Sequence, residues 1–199
     1  MLSAPSGAGK TAITDALLAS ESALRRSVSM TTRAPRVGEV DGVHYQFVTE
    51  AEFIRARDAG ELLEWARVLR GNYYYGTPRT PVDTALTAGF DVAFDIDWQG
   101  HRALRGALRG DVVGVFILPP SMPVLEARLR SRAGDDAAEI VRRMQLARDE
   151  IGHWSEYDHV VVNDDLSHAI EAVRSVLHAA RLATARQTAL PEFVRRLGA

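Results

Sequence analysis

The sequence predicts an α/β fold in which a parallel β-sheet is covered by helices on both faces. Short apolar runs alternate with helical segments along much of the chain, as in an open parallel sheet. The runs at residues 92–97 and 112–118 are typical of buried parallel strands, and the second is apolar at nearly every position. A glycine-containing loop at residues 4–11 leads directly into a helical segment. We therefore expect ligands at the carboxyl ends of the strands.

The composition is that of an ordinary globular protein of 199 residues, with 46% hydrophobic and 25% charged residues. This length predicts one domain, or one core with inserted subdomains. The chain has no cysteine, which excludes disulfides and thiolate metal sites. Its net charge of −2 argues against a general nucleic-acid-binding protein, and no apolar run approaches the roughly 20 residues of a membrane span. No signal peptide is recognisable, so we expect a cytoplasmic protein without a nucleic-acid or membrane partner.

Short elements separated by polar loops follow the first helix. They are a strand at residues 27–30, a loop at 33–42, a strand at 45–48, a helix at 49–60, a strand at Leu62–Val68, an aromatic loop at 71–76 and a helix at 81–89. Thr49 and Glu52 form a capping-box pattern, and Gly60 ends that helix. Pro81 suits the first turn of a helix. Because this stretch interrupts the strand–helix alternation, we interpret residues 29–77 as an inserted substrate-binding subdomain.

The second half of the chain returns to alternating strands and helices. The predicted elements are a helix at residues 98–109, a helix capped by Ser121, a helix that continues to about 154, a strand at His159–Val162 and a long C-terminal helix capped by Asp164 or Asp165. A Gly-Asp-Asp sequence at 134–136 interrupts the helix that follows Ser121. We assign residues 1–28, 78–120 and 145–199 to the core and residues 121–144 to a lid.

Residues 4–11, Ala-Pro-Ser-Gly-Ala-Gly-Lys-Thr, have the layout of a phosphate-binding loop (P-loop). Glycines allow successive backbone N–H groups to turn towards an anion, and the following helix adds its positive N-terminal end. Lys10 is expected to reach the β- and γ-phosphates of ATP, and the Thr11 hydroxyl group to ligate Mg²⁺. An alanine replaces the usual first glycine. The predicted ATP contacts in this loop are Ala4, Pro5, Ser6, Gly7, Ala8, Gly9, Lys10 and Thr11.

Further motifs follow the P-loop in a fixed order. They are Ser-Met-Thr-Thr-Arg-Ala-Pro-Arg-Val-Gly-Glu at residues 29–39, Tyr45, Glu-Trp-Ala at 64–66, Gly-Asn-Tyr-Tyr-Tyr-Gly-Thr at 71–77, Asp-Ile-Asp-Trp-Gln-Gly at 95–100 and Val-Asn-Asp-Asp at 162–165. With these motifs the chain resembles bacterial guanylate kinases over essentially its whole length. The resemblance implies a P-loop NTPase-type fold with an inserted GMP-binding subdomain and a short lid. It also implies phosphoryl transfer from ATP, with Mg²⁺, to GMP and dGMP.

The resemblance implies that the GMP site binds the phosphate and the base separately. Paired guanidinium donors suit a phosphate, so Arg33 and Arg36 are expected to clamp it, together with tyrosine hydroxyl groups. Glu64 is expected to accept hydrogen bonds from guanine N1–H and the exocyclic amine, while hydroxyl groups donate to O6. The predicted GMP contacts are Ser29, Arg33, Arg36, Tyr45, Glu64, Tyr75, Thr77 and Asp97.

The resemblance also assigns residues around the transferred phosphoryl group. Asp95 is expected in the outer shell of Mg²⁺, bound through water. Arg128 and Asn163 are expected to contact ATP, with Asn163 at the adenine. The lid departs from the family pattern, with Ala-Gly at 133–134 where Arg-Gly is usual. The predicted catalytic side chains are Lys10, Arg33, Arg132 and Arg143.

Two departures concern spacing. Residues 66–76 are two positions longer than usual, which leaves Tyr73, Tyr74 and Tyr75 as candidates for the GMP phosphate. We choose Tyr75, because it directly precedes Gly-Thr at 76–77. Only three residues precede the P-loop, whereas a buried strand of roughly five is usual. We therefore expect the natural product to begin upstream, and the chain as written to be poorly stable or poorly active.

Two other functions share parts of this pattern. A phosphorylated-sugar kinase on the same fold would share the P-loop but has no need for Glu64 with Ser29 and Thr77. A guanylate-kinase-like module that binds phosphopeptides would lack the P-loop lysine, whereas Lys10 and Thr11 are present. The sequence favours a GMP kinase and leaves open whether it is a monomer or a homodimer.

Overall fold

The computed structural model describes residues 1–68, 72–108, 110–131 and 137–198. In these ranges the helices are α1 (Lys10–Ser20), α2 (Glu50–Asp58), α3 (Arg79–Thr87), α4 (Trp98–Ala107), α5 (Met122–Arg130), α6 (Ala137–Ile151), α7 (Leu166–Leu182) and α8 (Leu190–Leu197). The strands are β1 (Leu2–Ser3), β2 (Leu24–Arg26), β3 (Met30–Thr31), β4 (Gln46–Phe47), β5 (Leu62–Val68), β6 (Tyr73–Pro78), β7 (Asp91–Ala93), β8 (Val115–Leu118) and β9 (His159–Val162). None of the helices described has both the length and the apolar character needed to cross a bilayer.

Five parallel strands form the central sheet. β1 pairs with β8 and β8 with β9, while β2 pairs with β7, all in parallel. A bridge between Leu2 and Asp95, with the Leu2 N–H donating to Phe94 O at 2.9 Å, joins the two groups. The order across the sheet is therefore β2-β7-β1-β8-β9. Parallel neighbours require crossover connections, here made by helices, and this arrangement confirms the predicted α/β fold.

Helices cover both faces of this sheet, because successive strand residues point to opposite sides. On one face Ala93 packs with Leu17 of α1 and Val173 of α7. On the other face Phe94 packs with Leu104 of α4. Burial of a leucine, valine or phenylalanine side chain contributes about 1.5–3 kcal/mol to folding. These two layers hold the carboxyl ends of the strands, where the functional residues lie.

The first strand is present, although it has only two residues. It lies between β8 and residues 94–95 beside the P-loop, and it is shorter than the roughly five residues usual there. A cavity of about 280 Å³ lies at the other end of β1, lined by Met1 and by apolar side chains such as Leu24 and Val92. The core is therefore incompletely filled beside Met1, and the low stability expected for the chain stays a prediction.

A second sheet of four strands follows α1 and β2. Its order is β4-β3-β6-β5, in which β3 pairs in parallel with β4 and antiparallel with β6. α2 packs on this sheet through Phe53, whose ring centroid lies 5.2 Å from that of Tyr74. The capping box at Thr49 and Glu52 is confirmed, since each side chain bonds the backbone N–H of the other residue. The division into core, subdomain and lid stays a prediction with which this separate sheet is consistent.

Three predicted elements differ from the structure. The strand predicted at residues 27–30 is wrong, because β2 pairs with β7 and β3 with β6, and the chain between them crosses from one sheet to the other. The aromatic loop predicted at 71–76 is wrong from residue 73, since tyrosines favour strands and this segment pairs with β5 as β6. The strand predicted at 92–97 is β7 and ends at residue 93, so the polar residues after it lie outside the strand.

Candidate functional site

The P-loop connects β1 to α1 and turns through two glycines with left-handed backbone. Gly7 and Gly9 have φ values of 96° and 99°, which residues with a side chain adopt only at a cost. The Ala8 N–H donates to Pro5 O at 3.0 Å and closes the turn. α1 begins directly afterwards at Lys10, and the N-terminal end of a helix attracts anions. This loop can therefore bind a phosphate group.

Asn163, which directly follows β9, makes a hydrogen bond that holds the P-loop. Its side chain is buried, and its Nδ2 donates to Ala8 O at 2.7 Å. A Cβ atom on Gly9 would lie 2.2 Å from the same Nδ2, so only glycine fits at that position. Asn163 therefore holds the loop, and its contact with the adenine of ATP stays a prediction. No local pattern in the sequence indicates the contact with Ala8, because it joins residues 155 positions apart.

The lid arginines differ in what surrounds them. Arg128 donates from Nη2 to the Asn163 backbone oxygen at 3.0 Å, while its Nη1 is buried with no acceptor among the described residues. A buried donor without an acceptor is unfavourable, and an oxygen of a nucleotide would satisfy it. Arg143 of α6 contacts the Ser6 hydroxyl group. Arg132 lies outside the described residues, so its predicted catalytic role has no structural account.

Lys10 and Asp95 form an ion pair at the carboxyl edge of the central sheet. The Thr11 side chain beside them is exposed. Across the described part of the chain, no group of three or more histidine, aspartate or glutamate side chains is arranged to hold a metal ion. One hydroxyl group and one carboxylate suit a Mg²⁺ ion that arrives with ATP and keeps several waters, rather than one held by a protein cage.

Asp97 is the N-cap of α4. Its Oδ1 accepts the Gly100 N–H at 2.9 Å. Asp97 lies beyond β7, which ends at residue 93. Its carboxylate nevertheless lies close enough to Glu64 to oppose the ionisation of that residue. A contact between Asp97 and GMP stays a prediction.

Neighbouring strands bring the predicted base-recognising side chains together. Glu64 on β5 is the cross-strand partner of Thr77 on β6, and the Thr77 hydroxyl group donates to Glu64 Oε1 at 2.6 Å. Ser29 precedes β3, and its hydroxyl oxygen lies 3.4 Å from that of Thr77. The pairing of β5 with β6 has a register irregularity between residues 62 and 64. Leu63 packs in the core with Phe94 and Leu104, whereas Glu64 faces Thr77. The result is a carboxylate next to two hydroxyl groups.

Burial raises the pKa of Glu64 to about 7. The residue is 6% exposed, which disfavours the charged form, and the nearby Asp97 carboxylate acts in the same direction. The hydrogen bond from Thr77 acts against both by stabilising the carboxylate. Glu64 is therefore close to half ionised at neutral pH, and a ligand that donates N–H groups to it would favour the ionised form.

Glu39 holds the Arg33 side chain in the segment between β3 and β4. Two guanidinium nitrogens of Arg33 donate to the two Glu39 carboxylate oxygens, each at 2.6 Å. The Arg33 Nε donates to the Tyr75 hydroxyl group at 3.1 Å. The Arg33 hydrogen bonds lower the pKa of Glu39 to about 2, so Glu39 is anionic at neutral pH. Glu39 thus occupies donors that a phosphate would use.

Two acidic residues of the site received no role from the sequence. Glu39 belongs to the motif at 29–39 and also accepts the Arg36 N–H at 2.8 Å, while the Arg36 side chain is exposed. The motif contains both Arg33 and Glu39, but nothing in it indicates that they pair. Glu150 of α6 lies within electrostatic range of Lys10, and burial raises its pKa. That proximity depends on how α6 packs, so no local signal indicates it.

Strand alternation turns Tyr74 to the face opposite Tyr73 and Tyr75 in β6. Tyr74 points into the small core against Phe53, and Tyr73 is exposed. Tyr75 points to the Arg33 side and meets its guanidinium. This geometry is consistent with the choice of Tyr75 for the GMP phosphate, which stays a prediction.

Tyr45 connects the second sheet to the P-loop. Its ring centroid lies 6.0 Å from that of Tyr75, and the Arg33 guanidinium carbon lies 4.8 Å from the Tyr45 ring centroid. Burial, and next the Asp95 carboxylate, raise the pKa of Tyr45, while the Lys10 ammonium lowers it. Tyr45, which contacts Tyr75 and Arg33, therefore lies within electrostatic range of the ion pair at the P-loop.

Comparison with known proteins agrees with this arrangement. The sequence matches the guanylate kinase family over residues 1–180. It is 62% identical over 195 residues to the guanylate kinase of Gluconobacter oxydans (strain 621H), covering 98% of this chain and 92% of that protein. The guanylate kinase of Granulibacter bethesdensis is 55% identical over 198 residues, covering 100% of this chain and 92% of that protein. The crystal structure of guanylate kinase from Anaplasma phagocytophilum has a TM-score of 0.80 and 34% identity, covering 98% of this chain and 92% of that one. The chain therefore belongs to the guanylate kinase family.

Proposed function

We propose that this protein transfers the γ-phosphoryl group of ATP to GMP and to dGMP, as part of guanine nucleotide synthesis and recycling in the cytoplasm. The observation that carries the proposal is the Glu64 carboxylate, bonded to Thr77 and flanked by Ser29, on the sheet whose Tyr75 accepts a hydrogen bond from Arg33. That combination suits a purine with an amide edge on one side and a phosphate on the other.

The base would be read by hydrogen bonds that only guanine satisfies. Glu64 Oε1 already accepts from Thr77, and its second oxygen can accept from the guanine N1–H or exocyclic amine. Ser29 can donate its hydroxyl hydrogen to guanine O6. Adenine presents a bare N1 lone pair to the carboxylate, so it leaves a buried charge unpaired.

The acceptor phosphate would be held by the guanidinium groups. Arg33 is buried and held by Glu39 and Tyr75, so its orientation is set before GMP binds. Arg36 is exposed and able to close over the phosphate. We propose that the phosphate takes over part of the contact that Glu39 makes with Arg33.

The donor phosphates would lie in the P-loop. Lys10 would exchange Asp95 for the β- and γ-phosphates, and Asn163 would keep the loop in shape. Mg²⁺ brought by ATP neutralises phosphate charge, and the residues that would hold it are Thr11 directly and Asp95 through water. A GMP phosphate oxygen then attacks the γ-phosphorus as the bond to the β–γ bridging oxygen breaks, and ADP leaves. The protein contributes position and charge, since phosphoryl transfer needs little covalent chemistry from it.

A substrate survey with two variants tests this function. ADP release is measured with GMP, AMP, CMP and UMP as acceptors, and we expect turnover with GMP to exceed that with the others. Glu64→Gln is expected to lower kcat/KM for GMP about 100-fold or more, because the amide cannot accept from both guanine N–H groups, while the KM for ATP stays unchanged.

Lys10→Ala is the complementary variant. We expect it to lose turnover while calorimetry still detects GMP binding, because Lys10 acts on the donor phosphates. Equal turnover of AMP and GMP, or unchanged GMP kinetics in Glu64→Gln, would contradict the proposal. Turnover of a phosphorylated sugar, or GMP binding without any turnover in the unaltered protein, would favour one of the two alternative functions.

A further inference from the structure

The first turn of α4 lies against the Glu64 carboxylate at Gly100. A Cβ atom built on Gly100 would lie 3.1 Å from Glu64 Oε2. This is closer than ordinary van der Waals contact, so the carboxylate would have to move by a few tenths of an ångström. The Gly100 position therefore controls the space available to Oε2.

The Glu64 side chain has little room to move away. Its other oxygen, Oε1, is held by the Thr77 hydroxyl group at 2.6 Å, and the residue is nearly fully buried. The same Cβ atom would also lie 3.1 Å from Ile96 Cβ and from Ile96 Cδ1. A methyl group at this position would therefore displace Glu64 or Ile96.

The backbone itself does not require a glycine at position 100. Gly100 lies within α4, its φ is outside the left-handed region, and its N–H donates to Asp97. Glycine within a helix is less favourable than alanine. The neighbouring carboxylate supplies a reason for its presence. Gly106, also in α4, has no such neighbour, because a Cβ atom there would meet nothing within 4 Å.

We propose that Gly100 is a positioning residue for guanine recognition, which by lacking a side chain keeps Glu64 Oε2 in place and open to the N–H groups of the base. The proposal rests on the role of Glu64 in the proposed function. Oε2 is the oxygen that does not already accept from Thr77, so it is the one that a base must reach. Gly100 thus acts through Glu64 and does not itself touch the base.

The first test compares Gly100→Ala with Gly106→Ala. Misplacement of a reacting group by 1 Å costs about 100-fold, so a shift of a few tenths of an ångström is expected to raise the KM for GMP about tenfold. The KM for ATP is expected to stay within about twofold. Gly106→Ala is expected to raise the melting temperature with unchanged kinetics, since alanine favours the helix. An unchanged KM for GMP in Gly100→Ala would overturn the proposal.

The second test asks whether the effect passes through Glu64. If it does, Gly100→Ala adds no further loss of kcat/KM for GMP in the Glu64→Gln background, whereas independent losses would multiply.

The pH profile of kcat/KM for GMP adds a second readout. Asp97 from α4 and the Thr77 hydroxyl group from β6 face the carboxyl group. A methyl group beside Oε2 excludes water, so the acidic limb is expected to move to higher pH. An unmoved limb with multiplying losses would overturn the proposal.

The double variant Ile96→Val, Gly100→Ala relieves one of the two contacts with Ile96, and serves if the single variant folds poorly. It removes the Ile96 Cδ1 contact and leaves the Ile96 Cβ and Glu64 contacts. We expect the KM for GMP to remain raised in this variant. A return to the unaltered KM would assign the effect to Ile96 and overturn the proposal. If Glu64→Gln itself keeps full GMP activity, the proposed function fails; if it loses activity while Gly100→Ala does not, only the role of Gly100 fails.

Discussion

At the scale of single residues, the site depends on buried polar side chains whose partners come from distant parts of the chain. Asn163 joins the end of β9 to the P-loop, and Thr77 joins β6 to Glu64 on β5. Each pairs a group that burial would otherwise leave unsatisfied, so it contributes both stability and geometry. Removing one partner is therefore expected to affect a particular substrate rather than catalysis in general.

Asn163→Ala is expected to weaken ATP binding selectively. The substitution leaves Ala8 O without its donor in a buried place, which costs about 1–3 kcal/mol in the free energy of unfolding, and it frees the P-loop to move. Steady-state kinetics should show a raised KM for ATP and an unchanged KM for GMP. Gln187→Ala is the control, because it also removes an amide-to-carbonyl hydrogen bond, on Leu182 O far along the chain from the P-loop. A similar KM for ATP in both variants would contradict this role of Asn163.

At the scale of elements, the proposed acceptor site depends on a small sheet on which the short helix α2 packs. α2 packs Phe53 and Ala56 onto this sheet, and its start is held by the Thr49–Glu52 capping box. The cap was predictable because it is a local pattern. β6 was not, because its pairing with β5 and β3 decided between strand and loop for the tyrosine segment. Local chemistry thus determines where helices begin, while pairing determines which segments become strands.

Thr49→Ala is expected to destabilise the protein by about 1 kcal/mol, because the first turn of α2 loses its side-chain acceptor. Urea unfolding measures the loss. Thr49→Ser keeps the hydroxyl group and is expected to stay close to the unaltered protein. Equal destabilisation by alanine and serine would show that the Thr49 methyl group, and not the cap, is responsible.

At the scale of the whole molecule, one buried carboxyl group couples proton binding to folding. The pKa of Glu64 is raised from an ordinary value of 4.5 to about 7 in the folded state. The folded protein therefore binds more protons than the unfolded chain between these two pH values. Its stability should fall as the pH rises through this interval, by up to about 3 kcal/mol, and should level off above it.

Unfolding of the nucleotide-free protein in urea at pH 5, 6, 7 and 8 tests this coupling. Other groups also titrate, so the comparison is made with Glu64→Gln, whose neutral amide keeps a partner for Thr77. We expect the free energy of unfolding of the glutamine variant to increase relative to that of the unaltered protein as the pH rises. Parallel pH dependences of the two proteins would show that the pKa of Glu64 is not raised.

Whether a feature of the site can be predicted from the sequence depends on how far apart in the chain the interacting residues lie. The P-loop was identified because its spacing along the chain carries the chemistry, whereas Glu64 and Arg33 were identified because the motifs that contain them resemble those of guanylate kinases. The pairing of Arg33 with Glu39 is only six residues long, yet the sequence did not reveal that the carboxylate faces the guanidinium. The roles of Asn163 and Gly100 depend on contacts across the fold and have no local signal.

The sequence by itself determined the α/β class, the P-loop and the helix caps, because each depends on short-range patterns of polarity and conformational preference. The residues expected to bind a guanine nucleotide followed from the resemblance of its motifs to those of guanylate kinases. Only the tertiary structure decided which strands share a sheet, which tyrosine faces Arg33, and what holds Glu64 and the P-loop in place. Those features arise from burial and pairing between segments far apart in the chain, and a residue's neighbours in space are not encoded by its neighbours in sequence.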